Sequence, residues 1–405
     1  MPIFSAEWIV PMSGPPVRNG FITIDRGRIQ EIGSDVPREA TALGAVAILP
    51  ALVNAHTHLE LSFLCGRVPP CDNFNEWVTT LMALRREAPD PNAPAIVAAT
   101  RQAIEGARAT GTGLIGDISN TLVSVNVLRE AGMAAHVFHE QIGFNLADVP
   151  GKIAQALAAI SAMNGGDDTV RMSVAAHAPY SVSPALFGAI RRAVSECPHP
   201  VTSVHLGESA QEIEFLRDGT GPARVMLERL GVWTDAWHPP GVSPVAYLDD
   251  LAFLDARTLV VHGVQFDADD LARLAAIGAT LVSCPRSNAY VGAGSPPLTA
   301  FYESGVDVAF GTDSLTSVAD LNMFNELAEA RRIASTVPAR RLLESATLVG
   351  ARALGFERDY GSIEVGKRAA LLAVRVPAHV ADVEQYLVGG VDPDAIAWLP
   401  TTLNA

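Results

Sequence analysis

The sequence predicts an α/β fold, a (β/α)8 TIM barrel with a small β-sandwich formed from both chain termini. Two observations lead to this prediction. Short apolar runs that end in polar residues alternate with Ala-, Leu- and Arg-rich segments of helical period. Such alternation is typical of a parallel sheet covered on both faces. The two ends of the chain lack it, so we predict a barrel over residues 51–357 and a β-sandwich domain from residues 1–50 plus 358–405.

Eight apolar runs are candidates for the barrel strands. In chain order they are "AILPALVNAHTH", "GTGLIGDIS", "MAAHVFHEQIGF", "VRMSVAAHAPY", "PVTSVHLGES", "TLVVHGVQF", "ATLVSCPRSN" and "VDVAFGTDS". Segments such as "APAIVAATRQAIEGARAT" and "SPALFGAIRRAVSEC" lie between them and have the period of an amphipathic helix. This number of strand–helix units is that of a complete barrel.

Three further segments complete the predicted organisation. Near the start, "FITIDRGRIQEIGS" predicts a strand–turn–strand unit, and near the end "GSIEVGKRAALLAVRV" predicts a similar one. Residues 217–250, "RDGTGPARVMLERLGVWTDAWHPPGVSPVAYLDD", interrupt the alternation between the fifth and sixth strands. Long insertions at that end of a barrel commonly carry function, so we predict an active-site lid there.

Composition narrows the class of protein. The chain has 405 residues, of which 49% are hydrophobic, so a large core can form. Its net charge of −15 argues against a nucleic acid or an anionic membrane surface as partner. The 4 cysteines show no C-x-x-C pair, and no apolar stretch reaches the ~18 residues of a membrane helix. With no leader-like N-terminus, we expect a cytoplasmic protein.

Residues with metal-binding or acid–base side chains stand at the ends of several predicted strands. They are His56 and His58 on the first strand, His177 on the fourth, His205 and Glu208 on the fifth, His262 on the sixth and Asp313 on the eighth. In a barrel of this kind the carboxyl ends of the strands meet at one face, where active sites form. Alone, the two histidines of "HTH" could be polar residues that mark a strand end. The full set favours a site.

Four of these residues form a plausible ligand set for one divalent metal. We assign His56, His58, His205 and Asp313, because three imidazoles and one carboxylate suit zinc or ferrous iron and leave a position for water. We expect zinc first, with iron as the alternative. Glu208 is then free to act as a proton shuttle.

His262 is predicted to be a second acid–base or electrophilic group. A second metal is not expected, because two-metal hydrolases on this scaffold often use a carbamylated barrel lysine as a bridge. The only lysines, Lys152 and Lys367, do not lie at predicted strand ends.

The motifs "HTH", "HLGES", "VVHGVQF", "CPRSN" and "GTDS", in that order, resemble the mononuclear deaminase branch of the amidohydrolase superfamily. That branch contains cytosine, guanine and S-adenosylhomocysteine deaminases and triazine hydrolases. The tail "SATLVGARALGFERDYGSIEVGKRAALLAV" is similar to the last barrel helix and closing strands of the family. Within the branch, "NAHTHLELS" followed by "FNEWVTTLMALRRE" is most similar to aminodeoxyfutalosine deaminases of menaquinone biosynthesis.

The resemblance implies hydrolytic deamination at C6 of an adenine-like ring. It implies that Asp313, helped by His262, takes the proton of the attacking water. It also implies that Glu208 protonates the adjacent ring nitrogen and then the departing amine. His177 would contact the ring or the sugar, and Glu76 would accept hydrogen bonds from ribose hydroxyls.

Two further substrate contacts are hypotheses from residue chemistry. Arg286, or Arg85 or Arg86 of "LRRE", could pair with a substrate carboxylate, because a guanidinium binds a carboxylate through two parallel hydrogen bonds. Glu140, after the third strand, is a candidate substrate contact.

Several alternatives stay open at this stage. The substrate could be S-adenosylhomocysteine, 5′-methylthioadenosine or adenosine, or the leaving group could be chloride or an amide nitrogen on another N-heterocycle. A barrel that serves as a non-catalytic scaffold conflicts with the complete residue set. The expected partner is a small N-heterocyclic molecule, and a homo-oligomer is left open.

Overall fold

The structure is a computed structural model that describes residues 1–163, 165–166 and 168–400. Positions 401–405 of the predicted C-terminal segment lie outside the described residues. The strands are β1 Ile3–Ile9, β2 Val17–Asp25, β3 Arg28–Gly33, β4 Thr41–Ala42, β5 Val46–Pro50, β6 Leu52–Thr57, β7 Thr112–Ser119, β8 Ala134–Gln141, β9 Val170–Ala176, β10 Thr202–Leu206, β11 Thr258–His262, β12 Thr280–Ser283, β13 Asp307–Phe310, β14 Leu371–Arg375 and β15 Ile396–Trp398.

The α-helices alternate with the barrel strands and continue beyond them. They are α1 Phe74–Arg86, α2 Pro94–Ala109, α3 Ser124–Glu130, α4 Val149–Ala162, α5 Pro184–Glu196, α6 Ala210–Asp218, α7 Gly221–Arg229, α8 Pro244–Asp250, α9 Ala268–Ile277, α10 Pro285–Tyr290, α11 Leu298–Ser304, α12 Met323–Ile333, α13 Ala339–Glu344, α14 Gly350–Ala353 and α15 Val383–Leu387. A π-helical turn, Ser345–Val349, joins α13 to α14. Within the described residues no helix is long and apolar enough to cross a lipid bilayer.

The barrel consists of two parallel four-stranded sheets, β6–β9 and β10–β13, that meet at both edges. At one seam the His205 N–H donates to the His177 carbonyl over 2.8 Å. At the other the Asp313 N–H donates to the His56 carbonyl over 3.0 Å. Gly311 permits this second seam, because a Cβ there would lie 2.7 Å from the His56 Cβ. The fold class is the predicted one.

Helix starts are encoded locally around the barrel. Ser183 and Ser243 each accept a backbone N–H from the first turn of the helix that follows, and each is followed by proline. A serine N-cap with proline at the first helical position is a strong helix-start pattern. Asp267 caps α9 in the same way, and Gly278 ends that helix in the left-handed conformation.

Both ends of the chain contribute to one further sheet, in the order β15-β14-β5-β1-β2-β3, with β4 paired to β1. The sheet curls until the Ile29 N–H donates to the Lys367 carbonyl, and it encloses a hydrophobic core of its own. Arg26 and Gly27 form the β2–β3 turn with φ of 49° and 74°, as a tight hairpin requires.

Two of the predicted segments differ from the structure. The run 47–58 belongs partly to β5 of the small sheet and partly to β6 of the barrel, with Ala51 between them. The prediction of a second strand–turn–strand unit near the end is wrong, because only β14 is a strand there. The residues before it form a turn that is bonded to β3. The domain limits at residues 50 and 358 stay predictions.

Candidate metal centre and active-site cavity

Four side chains from three barrel strands converge at the carboxyl face. The ligand atoms of His56, His58 and His205 lie within 4.8 Å of one another. The Asp313 Oδ1 lies 3.5 Å from the His58 Nε2 and 3.9 Å from the His56 Nε2. These are the four residues that the sequence assigned to a metal; the three imidazoles converge, and the Asp313 carboxylate lies beside two of them.

The protonation and pairing of the imidazoles test whether a cation fits. Both ring nitrogens of His56 and the Nε2 of His205 are buried, and none has a hydrogen-bond partner among the described residues. Such unpaired buried groups are costly unless something else satisfies them. Burial, followed by the nearby His205, lowers the pKa of His56 well below its ordinary value. Burial also lowers the pKa of His58, whereas at His205 burial is outweighed by Glu140, which raises the pKa of His205 above its ordinary value. Unpaired imidazole nitrogens beside a carboxylate are what a divalent ion requires, so the donor set fits.

Asp313 is held as an ionised carboxylate. Burial alone would raise its pKa, but His58 and His262 bring the pKa of Asp313 below its ordinary value. The Ser287 hydroxyl donates to its Oδ2 over 2.7 Å, and the Ser314 N–H donates to its Oδ1 over 2.8 Å. Its φ of 60° is unusual for a residue with a side chain, and such strain is concentrated at functional sites.

Glu208 follows β10 and is the buried acid beside this cluster. Burial raises the pKa of its carboxyl to about 8. Its Oε1 lies 3.5 Å from the His262 Nε2. Four residues further on, the Glu212 carboxylate accepts the backbone N–H groups of Gly207 and Glu208 over 2.9 and 3.2 Å. Sequence reasoning missed Glu212, although a carboxylate four residues after Glu208 was visible in "GESAQE".

Two more histidines are kept neutral next to the cluster. Burial, followed by His205, lowers the pKa of His262 to about 3, and its Nε2 lies 3.0 Å from the His205 Nδ1. Burial also lowers the pKa of His177 to about 4. The His177 Nδ1 lies 2.6 Å from the Ser181 hydroxyl oxygen, which fixes the orientation of the ring.

Glu140 ends a polar chain that leads away from the cluster. Its Oε1 lies 3.5 Å from the His205 Nε2, and its Oε2 accepts the Asn120 amide N–H over 2.9 Å. The Asn120 oxygen in turn accepts from Arg85 over 2.8 Å, and Arg85 also donates to Glu60 over 2.8 Å. Burial would raise the pKa of Glu140, but the neighbouring histidines, His177 above all, lower it.

A cavity of about 430 Å³ opens onto these residues. Its polar end contains His58, Glu140, His177, His205, Glu208, His262 and Asp313. Its walls are apolar and contain Leu61, Phe74, Trp77, Val78, Leu81, Met82, Ile142, Phe144, Leu146, Met226, Leu227, Leu230 and Val232. The size and the combination of a few polar groups with an apolar wall are those of a small-molecule site.

The structure places two predicted substrate contacts elsewhere. Glu76 is bonded to Asn73 in the first turn of α1 and does not line the cavity. The Arg286 guanidinium pairs with Asp320 over 2.9 Å and with Glu326 over 3.4 Å, also away from the cavity.

Of the arginines that the sequence offered for a substrate carboxylate, Arg85 lines the cavity. Residues 74, 77, 78, 81, 82 and 85 form one helical stripe on the cavity side of α1. That period was present in the sequence and would have separated Arg85 from Glu76.

The predicted lid contributes to the apolar wall. Met226, Leu230 and Val232, in and after α7, line the cavity. Trp233 and Trp237 pack on Phe144, with ring centroids 5.8 and 5.5 Å apart, and do not line the cavity themselves. These tryptophans therefore support the wall from behind.

The barrel, the histidine cluster and the neighbouring buried acid define a class of hydrolase. The model described as the amidohydrolase family matches residues 47–391, and the chain belongs to this family. Members are hydrolytic enzymes, and this one acts on carbon–nitrogen bonds. The family predicted from the motifs is confirmed.

Three relatives are similar over four-fifths or more of the chain. The 5-methylthioadenosine/S-adenosylhomocysteine deaminase of Halobacterium salinarum is 30% identical, over 92% of this chain and 84% of its own. The aminodeoxyfutalosine deaminase of Deinococcus radiodurans is 28% identical, over 81% of this chain and 78% of its own. The crystal structure of Helicobacter pylori aminofutalosine deaminase with methylthio-coformycin superposes with a TM-score of 0.83 at 26% identity, over 96% of this chain and 95% of that one.

Proposed function

We propose that this protein is a zinc-dependent hydrolase that releases ammonia from a 6-aminopurine nucleoside. The observation that carries the proposal is the buried Glu208 carboxyl, with a pKa of about 8, beside a cluster of imidazoles and one carboxylate. An acid that is protonated at neutral pH next to a hydrolytic metal site is what ring protonation during deamination needs. The names of the relatives support the same reaction.

His56, His58, His205 and Asp313 would hold one divalent ion. Zinc is proposed because three nitrogen ligands and one carboxylate are a common zinc set, and ferrous iron is the alternative. When bound, such an ion supplies a Lewis acid that lowers the pKa of water from 15.7 towards about 7.

The residues of the chain then divide the proton transfers between them. The Asp313 carboxylate, fixed by Ser287 and Ser314, accepts the proton of the water whose oxygen adds to C6. Glu208 donates its proton to the adjacent ring nitrogen as that bond forms. The proton that Asp313 accepted then passes through Glu208 to the amino group, the C6–N bond breaks and ammonia leaves. The proton of the C6 hydroxyl returns Glu208 to its acid form as the 6-oxopurine is released.

The cavity orients the nucleoside in one direction. C6 must lie at the polar end, so the 5′ substituent of the sugar extends towards the apolar wall formed by α1 and α7. We propose that His177 and Glu140, which line the cavity, contact the ring or the sugar. Arg85 is proposed in place of Arg286 as the partner of a carboxylated substituent, because Arg85 lines the cavity and Arg286 does not.

We propose aminodeoxyfutalosine as the more specific substrate, with 5′-methylthioadenosine and S-adenosylhomocysteine as alternatives. We also propose that the protein works in the cytoplasm, which its free cysteines Cys65, Cys71, Cys197 and Cys284 support.

A substrate panel tests the proposal. The zinc-loaded protein is incubated with adenosine, 5′-methylthioadenosine, S-adenosylhomocysteine and aminodeoxyfutalosine, and with a chlorinated triazine as a different leaving group. The change of the purine absorption spectrum and the ammonia released are measured. We expect conversion to the 6-oxopurine with at least one nucleoside. Dechlorination of the triazine with no ammonia from any nucleoside would refute the proposed reaction.

A further inference from the structure

Asn288 occupies a buried position directly behind His262. It lies on α10, immediately after the seventh barrel strand, and its side chain is fully buried. The Asn288 amide is 3.0 Å from the His262 Nδ1 through its nitrogen, and its Oδ1 has no hydrogen-bond partner in the part of the chain that the structure describes. A 180° turn of the amide exchanges oxygen and nitrogen without moving any other atom, so the hydrogen-bond network decides between them.

His205 determines which orientation is compatible with a metal. Its Nδ1 already lies 3.0 Å from the His262 Nε2, so its Nε2 is the nitrogen that remains for an ion. A ligating Nε2 must offer its lone pair, so the His205 proton must be on Nδ1. That N–H then donates to the Nε2 of His262.

The same constraint passes to the next ring. When the His262 Nε2 accepts a hydrogen bond, the proton of this neutral imidazole must be on Nδ1. The Nδ1–H needs an acceptor, and the Asn288 oxygen is the group at that place. If the Asn288 amide nitrogen faces His262 instead, the donors and acceptors between Asn288, His262 and His205 all reverse. The His205 Nε2 then carries a proton and has no free lone pair.

We propose that Asn288 is a positioning residue whose amide oxygen fixes the tautomers of His262 and His205 and so keeps the His205 Nε2 available to the metal. The proposal rests on the metal-dependent function proposed above. It adds a residue that touches neither substrate nor ion and acts through two imidazoles. The His262 ring lies between its two partners, and its backbone has a φ of 81°, which is unusual for a residue with a side chain.

Nitrogen-15 NMR of the histidine rings in the zinc-loaded protein reads the tautomer directly. We expect the His262 proton on Nδ1, with the signal assigned by its loss in His262→Asn. A proton on Nε2 would overturn the proposal. The measurement needs no substrate, so it tests the tautomer proposal separately from the deaminase reaction.

Zinc affinity of two variants separates an acceptor from a donor at this position. Asn288→Asp keeps an oxygen acceptor and removes the N–H donor, whereas Asn288→Leu removes both at similar volume. We expect zinc affinity, measured by competition with a chromophoric chelator, to be retained in Asn288→Asp and to fall by about 10–100-fold in Asn288→Leu. Wild-type affinity in Asn288→Leu, or an equal loss in both variants, would contradict the acceptor role.

Asn322→Leu is the matched control. Asn322 is equally buried, and its side chain caps α12 by accepting the Phe324 N–H. Its replacement should lower the melting temperature and leave both zinc affinity and the His262 tautomer unchanged. A comparable loss of zinc affinity in this control would show that the effect at Asn288 is general destabilisation.

Discussion

Replacement of the Glu208 carboxyl by an amide removes the proposed acid and keeps the shape of the side chain. Glu208→Gln cannot donate an ionisable proton to the ring nitrogen or carry one to the amine. The residue is not among the four proposed metal ligands, so the ion should remain bound. We expect a loss of kcat with little change in KM, because the interaction is made while protons move and not while the substrate binds.

The structure sets the size of the expected effect. A carboxyl with a pKa of about 8 is about nine-tenths protonated at pH 7, whereas one at the ordinary 4.5 would be protonated in about 0.3% of molecules. Burial therefore raises the population of the active acid by about 300-fold. General acid–base catalysis contributes typically about 10²–10⁴-fold, so we expect kcat to fall by that range in Glu208→Gln.

The assay is ammonia release at saturating nucleoside, with zinc content measured in every preparation. Glu326→Gln is the control, because Glu326 is also buried with a pKa raised by burial to about 8, yet it pairs with Arg286 outside the cavity. The control should keep kcat within about threefold of the wild type, as a residue without contact to the reaction does. A Glu208→Gln enzyme that keeps more than about a tenth of wild-type kcat would refute the assigned role.

Three further predictions concern pH, packing and substrate contacts. Activity should fall as pH rises through the pKa of Glu208. The midpoint of this fall should lie at or below about pH 8, because a bound cation favours the carboxylate. If the same fall persists in Glu208→Gln, it belongs to another group. Gly311→Ala forces a Cβ to within 2.7 Å of His56 and should destabilise the fold by about 1–3 kcal/mol, seen as a lower melting temperature. For a carboxylated nucleoside, Arg85→Met should raise KM about tenfold or more and Arg286→Met should not; the opposite order would place the carboxylate at Arg286.

The barrel and its polar cluster could be predicted because their signal is local. Each apolar run marks a buried strand. The residues at the carboxyl end of every strand lie on the same face of the barrel, however the helices pack around it. His56, His205 and Asp313 could therefore be placed together from the sequence before any contact was known. The motifs that resemble the amidohydrolases lie at the same strand ends, which is why the family prediction was correct.

The substrate contacts were harder to predict because they depend on how separate elements dock. Arg286 is drawn away from the cavity by Asp320 and Glu326, which lie 34 and 40 positions further along the chain. The rotation of α1 depends on its packing against the loop after α10, where a Cβ on Gly292 would lie 2.5 Å from the backbone of Asp72. Neither docking contact follows from a periodic pattern in the sequence, although the period of α1 itself separates Arg85 from Glu76.

The Asn288 orientation was similarly beyond the sequence. "CPRSN" shows that an asparagine follows the seventh strand, but its role depends on the His262 ring that the neighbouring strand brings beside it. In general, the residues at the end of a strand could be predicted from the sequence. The role of a residue could not be predicted where it depends on how two separate elements pack against each other.

An anomalous-difference map from crystals of the zinc-loaded protein, collected at the zinc absorption edge, would locate the ion. We expect one peak per chain, within about 2.0–2.2 Å of a nitrogen of His56, His58 and His205 and of an oxygen of Asp313. A map with no peak among these four side chains, or with the ion held by other residues, would contradict the proposed metal site.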